Sequence, residues 1–282
     1  MRAKYICLTI LFLPFILYAS IFSSDSIVHP EVDQNGMVVS QHYLASSVGA
    51  QILEDGGNAY DASIAVAFAL AVVLPRAGNI GGGGFMVMYD EKTNKSYSID
   101  YREKAPALAS KDMYLNDDGS VNNKRAREGI LSIGVPGTVY GMWEVHKKFG
   151  SLPWEKLLDP AIKLAEKGFL LSHYEANRFN AYKKFFQEND AAAKIFIKEN
   201  QKPWKQNDRF IQKDLAKTLK RISKYGRDGF YSGPIADLIV KEMKKGNGLI
   251  SVDDLTNYSS KYREPIIGSY KDHKIISMGP PS

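Results

Sequence analysis

The chain has 282 residues, 44% apolar and 24% charged, which suits one large or two ordinary globular domains and excludes a disordered or low-complexity protein. Its net charge of +6 forms no basic stripe with interleaved aromatic residues; much of the excess lies between Lys183 and Lys245 among acidic groups, a solvated helical surface rather than a nucleic-acid face. Cys7 is the only cysteine and precedes the expected mature part, so cysteine-built zinc sites, cysteine nucleophiles and internal disulfides are excluded from the mature chain.

Arg2 and Lys4 precede an apolar run from Tyr5 to Ala19, and Ser20, Ser23 and Ser24 follow. A basic start, a short apolar core and small residues after it make a signal peptide over residues 1–24. Pro14 interrupts the run, which is shorter than the roughly 20 residues of a spanning helix, so no stable membrane anchor is expected. The mature part, 25–282, is then exported to the periplasm or the cell exterior.

Met37-Val38-Val39 reads as a short buried strand. Leu44, Val48, Ile52 and Leu53 recur at helical spacing, and Gly56-Gly57 supplies the stop. Asp61 is placed as the cap of a second helix. Its body, Ala62 to Leu74, is apolar except for Ser63 and ends at Pro75, which makes it a core helix buried on all sides.

The stretch from Gly78 to Pro106 organises the rest. Four glycines, Gly81 to Gly84, lead into a strand from Phe85 to Tyr89. Asp90 to Lys95 is a hairpin turn, and a second strand from Ser96 to Tyr101 delivers Arg102 at its end. Adjacent glycines serve where the backbone needs positive φ or where another group approaches closely. The run lacks the G-x-G-x-x-G register and the Gly-Lys-Ser/Thr ending, and it precedes a strand instead of following one. A tight turn with close backbone packing is therefore favoured over a phosphate loop. An arginine at such a strand end suits a carboxylate or phosphate.

Asn116 to Gly119 is a turn, and Lys124 to Glu128 an exposed loop. Pro136 fits the first turn of a helix running to about Lys148, with Gly150 just beyond. Asp159-Pro160 reads as the cap and first residue of a helix from Ala161 to Lys167. Tyr174 to Glu199 is charged and helical. Leu215, Leu219 and Ile222 mark an amphipathic helix, and Ile235, Leu238 and Ile239 another. Tyr270 and Lys274 to Met278 read as strands returning to a sheet. The order does not alternate as a doubly wound fold would, which leaves α+β. His29, His42, His146, His173 and His273 have no ligand spacing, so no metal site is expected. Asp117-Asp118 and Asp253-Asp254 read as turn and cap residues.

Asp100-Tyr101-Arg102-Glu103-Lys104-Ala105-Pro106 resembles the Asp-aromatic-Arg-Glu-x-Ala-Pro motif of the γ-glutamyltransferases, also called γ-glutamyltranspeptidases or glutathione hydrolases. Gly78 to Phe85 resembles that family's glycine turn. Gly56-Gly57-Asn58-Ala59-Tyr60-Asp61-Ala62, Gly134-Val135-Pro136-Gly137-Thr138-Val139 and Pro280-Pro281-Ser282 match in the same order, so the resemblance covers Gly36 to Ser282. It implies the four-layer αββα sandwich of the N-terminal nucleophile hydrolases, incomplete here. It also implies a precursor that cleaves itself into a large and a small subunit. The new N-terminal Thr of the small subunit attacks the γ-glutamyl carbonyl of glutathione and related compounds, and the acyl group passes to water, an amino acid or a peptide. The matching Arg, here Arg102, binds the donor's α-carboxylate. No metal or organic cofactor is implied.

The family's catalytic Thr opens a Thr-x-His motif. Thr9, Thr93, Thr138, Thr218 and Thr256 each lack His two residues later. Ser40-Gln41-His42 imitates the pattern near the start of the large-subunit region and reads as coincidence. Relatives continue beyond Pro-Pro-Ser into Ser-Gly-Gly. The expectation is a large-subunit portion truncated at its C-terminus, with no catalytic residue of its own, inactive by itself and partnered by the small subunit of the same precursor. Two rivals are a cephalosporin or glutaryl acylase, disfavoured by the Asp100–Pro106 motif, and a non-catalytic secreted binding protein or pseudoenzyme.

Overall fold

The computed structural model describes residues 32–282; the signal-peptide reading and His29 lie outside the described residues. Residues 32–37 form a unit of bends and extended chain. The main body begins at Val38. Its first helix, α1 (Tyr43–Glu54), is capped by the His42 ring and ends as the glycines require. Gly56 takes φ 88°, and the Gly57 and Gly56 N–H groups donate to the Ile52 and Leu53 carbonyls at 2.9 and 3.0 Å, a Schellman closure. The second, α2 (Ala59–Val73), is the apolar run. Phe68, Ala65 and Val72 are wholly enclosed. Asn58 is its cap, and Asp61 closes the capping box from the third helical position instead of capping the helix itself.

The hairpin follows as β1 (Phe85–Asp90) and β2 (Lys95–Asp100), antiparallel, with Phe85 opposite Asp100. A short α3 (Asn123–Arg127) occupies the exposed stretch read as a loop, because Asn122 caps it. Helix α4 (Thr138–Phe149) starts two residues after Pro136, with Gly137 as its cap position. Next comes α5 (Trp154–Lys167), which runs straight through Asp159-Pro160. The local cap signal loses to packing there: Trp154, Leu157, Leu158, Ala161, Ile162 and Ala165 form one buried face, and that face outweighs the one backbone bond Pro160 removes.

Beyond it, β3 (Phe169–Leu170) leads into three short helices where one charged helical region was expected: α6 (His173–Ala181), α7 (Lys183–Gln187) and α8 (Asp190–Phe196). Strand β4 (Arg209–Phe210) pairs with β3. Helices α9 (Lys213–Tyr225), α10 (Asp228–Tyr231), α11 (Pro234–Lys245) and α12 (Val252–Thr256) follow. In α9, Leu219 and Ile222 are buried as expected, whereas Leu238 of α11 is exposed and Ala236, Val240 and Met243 face inward. Helices α1 and α5 pack on α2, and α9 packs on α5. Gln212 donates to the Val72 carbonyl at 2.8 Å and so satisfies the end of α2.

Strand β5 (Lys261–Arg263) lies antiparallel on the free side of β2, giving the order β1-β2-β5. Strands β6 (Ile266–Tyr270) and β7 (His273–Ser277) pair only with each other among the described residues. The expected strands at Tyr270 and Lys274 to Met278 thus form a sheet, a two-stranded hairpin with Ile266, Ile267, Tyr270 and Ile275 about half-exposed. The Met37-Val38-Val39 strand is corrected. Val39 is 82% exposed and only Val38 packs inward, near Gly49 and Val66, so the local β propensity finds no partner strand among the described residues. Mixed helix and sheet, the α+β class, is what forms.

Candidate substrate-binding cleft

The glycine turn is built for close approach. None of Gly81 to Gly84 has positive φ. A Cβ on Gly83 would stand 2.5 Å from the Tyr101 carbonyl oxygen and 2.7 Å from the Glu103 nitrogen. The turn thus lies flush against the backbone that carries Arg102. The Gly137 N–H donates to the Gly82 carbonyl at 2.7 Å, which fastens the start of α4 to the same turn. The α4 backbone crosses Tyr101, whose buried hydroxyl is pushed up to about 12 by desolvation. At Gly137, an added Cβ would overlap the Tyr101 carbonyl and the Tyr258 hydroxyl. Gly137→Ala is expected to cost about 1–3 kcal/mol through overpacking. That lowers the melting temperature by several degrees. Gly268→Ala, in open space on β6, should melt like the parent. Equal melting of the two variants would contradict the close-packing account.

At the other end of α4, Asp61 is fully buried yet satisfied. It accepts from the Asn58 N–H at 3.0 Å, the Ser151 N–H at 3.1 Å and hydroxyl at 2.5 Å, and the Leu152 N–H at 3.3 Å. Two motifs separated in sequence therefore hold the two ends of one helix.

Arg102 follows β2, and its position is fixed from three sides. Its N–H donates to Asp100 Oδ1 at 3.0 Å. Its carbonyl accepts from the Tyr258 hydroxyl at 2.8 Å. The Tyr258 ring stacks on Tyr231 at 5.6 Å, and the Tyr231 hydroxyl donates to the Pro136 carbonyl at 2.8 Å. Asp100 would be the obvious ion-pair partner for Arg102, but Arg263 takes it, with Nε and Nη2 at 2.9 and 2.8 Å from Oδ2. Burial alone would raise the Asp100 carboxyl; the Arg102 N–H and the Arg263 guanidinium outweigh it and hold it below the usual carboxylate range. Arg102 is exposed and lacks a carboxylate within ion-pair distance among the described residues. Its Nη1 donates to the Pro281 carbonyl at 3.0 Å.

The cleft in front of it, about 220 Å³, is lined by Arg102, Lys104, Lys261 and Arg263 against Asp100 and Glu103, with Pro281 at its side. Four cations face two acids, one of them already paired, so the cleft favours an anion. Lys104 is held below its usual value, first by burial and then by repulsion from Lys261. Sequence reading found Arg102 but missed Lys261 and Arg263. They arrive from β5, where Lys261 stands opposite Asp100 and Arg263 opposite Ser98. The alternation in Lys261-Tyr262-Arg263 was the one available signal.

Ser40-Gln41-His42 does not reach this cleft. The Leu44 N–H donates to His42 Nδ1 at 3.2 Å and His42 Nε2 meets Glu175 at 2.9 Å, a helix-capping arrangement. Asp254 completes the capping box of α12 and Asp118 ties the turn at Ser120, as turn and cap residues should. Among the described residues no group of three or more His, Cys, Asp or Glu gathers as a metal would require.

The family model for gamma-glutamyltranspeptidase matches residues 45–282. The chain belongs to the gamma-glutamyltranspeptidase family. Against the glutathione hydrolase proenzyme of a Pseudomonas species it is 44% identical, over 88% of this chain and 43% of the relative. Against that of Escherichia coli it is 42% identical, over 92% and 44%. The solved gamma-glutamyltranspeptidase of Helicobacter pylori superposes with a TM-score of 0.87 at 46% identity, covering 90% of this chain and 72% of that one. The chain spans about half the length of the curated relatives it matches. In this transpeptidase-family chain the matched region contains all the groups of the Arg102 cleft. No helix among the described residues is long and apolar enough to cross a membrane.

Proposed function

We propose that the chain is the large-subunit portion of an exported γ-glutamyltransferase, or glutathione hydrolase. It binds the γ-glutamyl donor while a small subunit from the same precursor supplies the nucleophilic Thr. Glutathione and related γ-glutamyl compounds are the donors, and water, amino acids or peptides the acceptors. The observation that carries this reading is the Arg102 fork, left without a carboxylate by the Asp100–Arg263 pair and set in a cationic cleft. A donor α-carboxylate fits that fork. In this reading the β1-β2-β5 sheet and its helices are part of the αββα sandwich of the N-terminal nucleophile hydrolases, completed by small-subunit strands. The acylase reading has less support, given 42–46% identity to transpeptidase-family proteins. The chemistry calls for no metal or organic cofactor. The complete enzyme containing this chain should release glutamate from glutathione, read by amino-acid analysis; no release above a heat-killed control would overturn the proposal.

Residues 1–24 act as the export leader in this reading, and the mature part begins near residue 25. Mass spectrometry of the exported chain should find a new N-terminus between Ala19 and Asp25; an intact Met1 would refute the leader.

A further inference from the structure

A second cavity, of about 550 Å³, shares no lining residue with the Arg102 cleft. Its volume is in the range of small-molecule sites. One wall is aromatic: Phe179, Phe186 and Phe196, from α6, α7 and α8. Leu74 and Pro75, where α2 ends, add further apolar lining. The polar groups of the lining are sharply divided. Among the described residues Glu175 is the only acid in the lining, and it is committed. Its Oε1 meets His42 Nε2 at 2.9 Å and its Oε2 accepts the Ser172 N–H at 2.7 Å. Because His42 Nδ1 accepts the Leu44 N–H, the ring proton sits on Nε2 and is donated to Glu175. Burial would raise the Glu175 carboxyl, but the bonds from His42 and Ser172 prevail and hold it low, so it stays an internally satisfied anion.

The two cations are not committed in that way. Arg76 is exposed at the end of α2, and Arg178 is half-buried on α6. Neither has a carboxylate within ion-pair distance among the described residues. Arg178 is held in place by Tyr182: Nη2 donates to the hydroxyl at 3.0 Å and the guanidinium lies 4.6 Å from the ring centroid. An apolar chamber with two arginines lacking acidic partners, one of them pre-positioned, calls for a ligand with an apolar body and one negative end.

We propose that this cavity binds a medium-chain aliphatic carboxylate, with its tail against the phenylalanines and its headgroup on Arg76 and Arg178. This site is independent of γ-glutamyl chemistry and stands or falls without it. The test uses the purified full chain and a dansyl-labelled undecanoate, whose fluorescence rises in an apolar site. Dodecanoate, dodecanol and dodecyltrimethylammonium then compete, the two ionic ones below their micellar concentrations and dodecanol below its solubility limit. Dodecanoate should displace the probe at about one tenth of the dodecanol concentration or less, the worth of one charge-assisted contact. Dodecyltrimethylammonium should not displace it. Arg76→Gln, at an exposed position, should erode the preference for carboxylate severalfold, and the Arg76→Gln, Arg178→Gln double variant should abolish it while dodecanol competes as before. Absence of probe binding, equal displacement by all three competitors, or a carboxylate preference that survives in the double variant would each overturn the proposal.

Discussion

Arg102→Lys in the complete enzyme is expected to lower kcat/KM on a γ-glutamyl anilide by about ten- to a hundredfold. Lysine keeps the charge and loses the planar two-pronged donor, so one charge-assisted hydrogen bond to the donor's α-carboxylate disappears. Such a bond is worth about 1.5–3 kcal/mol. Each 1.4 kcal/mol is a factor of ten. Most of the loss should appear in KM, because the α-carboxylate is remote from the scissile bond and is bound alike in ground and transition states. The surrounding geometry makes lysine a poor substitute. The Arg102 backbone is pinned by Asp100 and Tyr258, so a shorter reach is not recovered by a shift of the chain. Lys104 and Lys261 already supply point charge to the cleft, so what lysine retains is what the cleft has in excess. In the proposed enzyme, self-cleavage of the precursor requires no donor and should proceed normally. Steady-state kinetics of the two enzymes, side by side, decide it; equal KM and kcat would remove Arg102 from donor binding.

Much of this architecture was legible where one signal dominated. The α2 run is apolar for so long that only a buried helix satisfies it, and Gly56 closes α1 because only glycine takes that φ cheaply. The hairpin bearing Arg102 was readable from alternation and its turn. What failed was set by partners distant in sequence. Pro160 sits inside a helix because six side chains of α5 share a buried face. Val39 has strand propensity and no neighbour among the described residues to pair with. Asp61 looked like a cap and is instead the anchor for the Ser151 loop, 90 residues away. The cleft was half legible for the same reason. Arg102 is announced by its motif, but the choice of Arg263 as the partner of Asp100, which leaves Arg102 without a carboxylate, depends on a strand pairing made 163 residues later.

The second large effect concerns the chain by itself. It carries the cationic cleft and lacks a Thr-x-His sequence anywhere. In the proposed division of labour it can bind a donor but has no group to attack the γ-glutamyl carbonyl. The β6–β7 hairpin supports the same division. Ile266, Ile267, Tyr270 and Ile275 are about half-exposed on a two-stranded element, an arrangement that gains stability only when further strands or a packed face cover it. Pro281, next to that hairpin in sequence, already touches Arg102, so whatever covers the hairpin would stand beside the Arg102 cleft.

The most direct measurement is therefore turnover of a γ-glutamyl anilide by residues 25–282 alone and by the same chain co-produced with the small-subunit portion of its precursor. The account predicts no release above a heat-killed control from the chain alone and clear catalytic release from the pair. Turnover by the chain alone, or none by the folded pair, would contradict it.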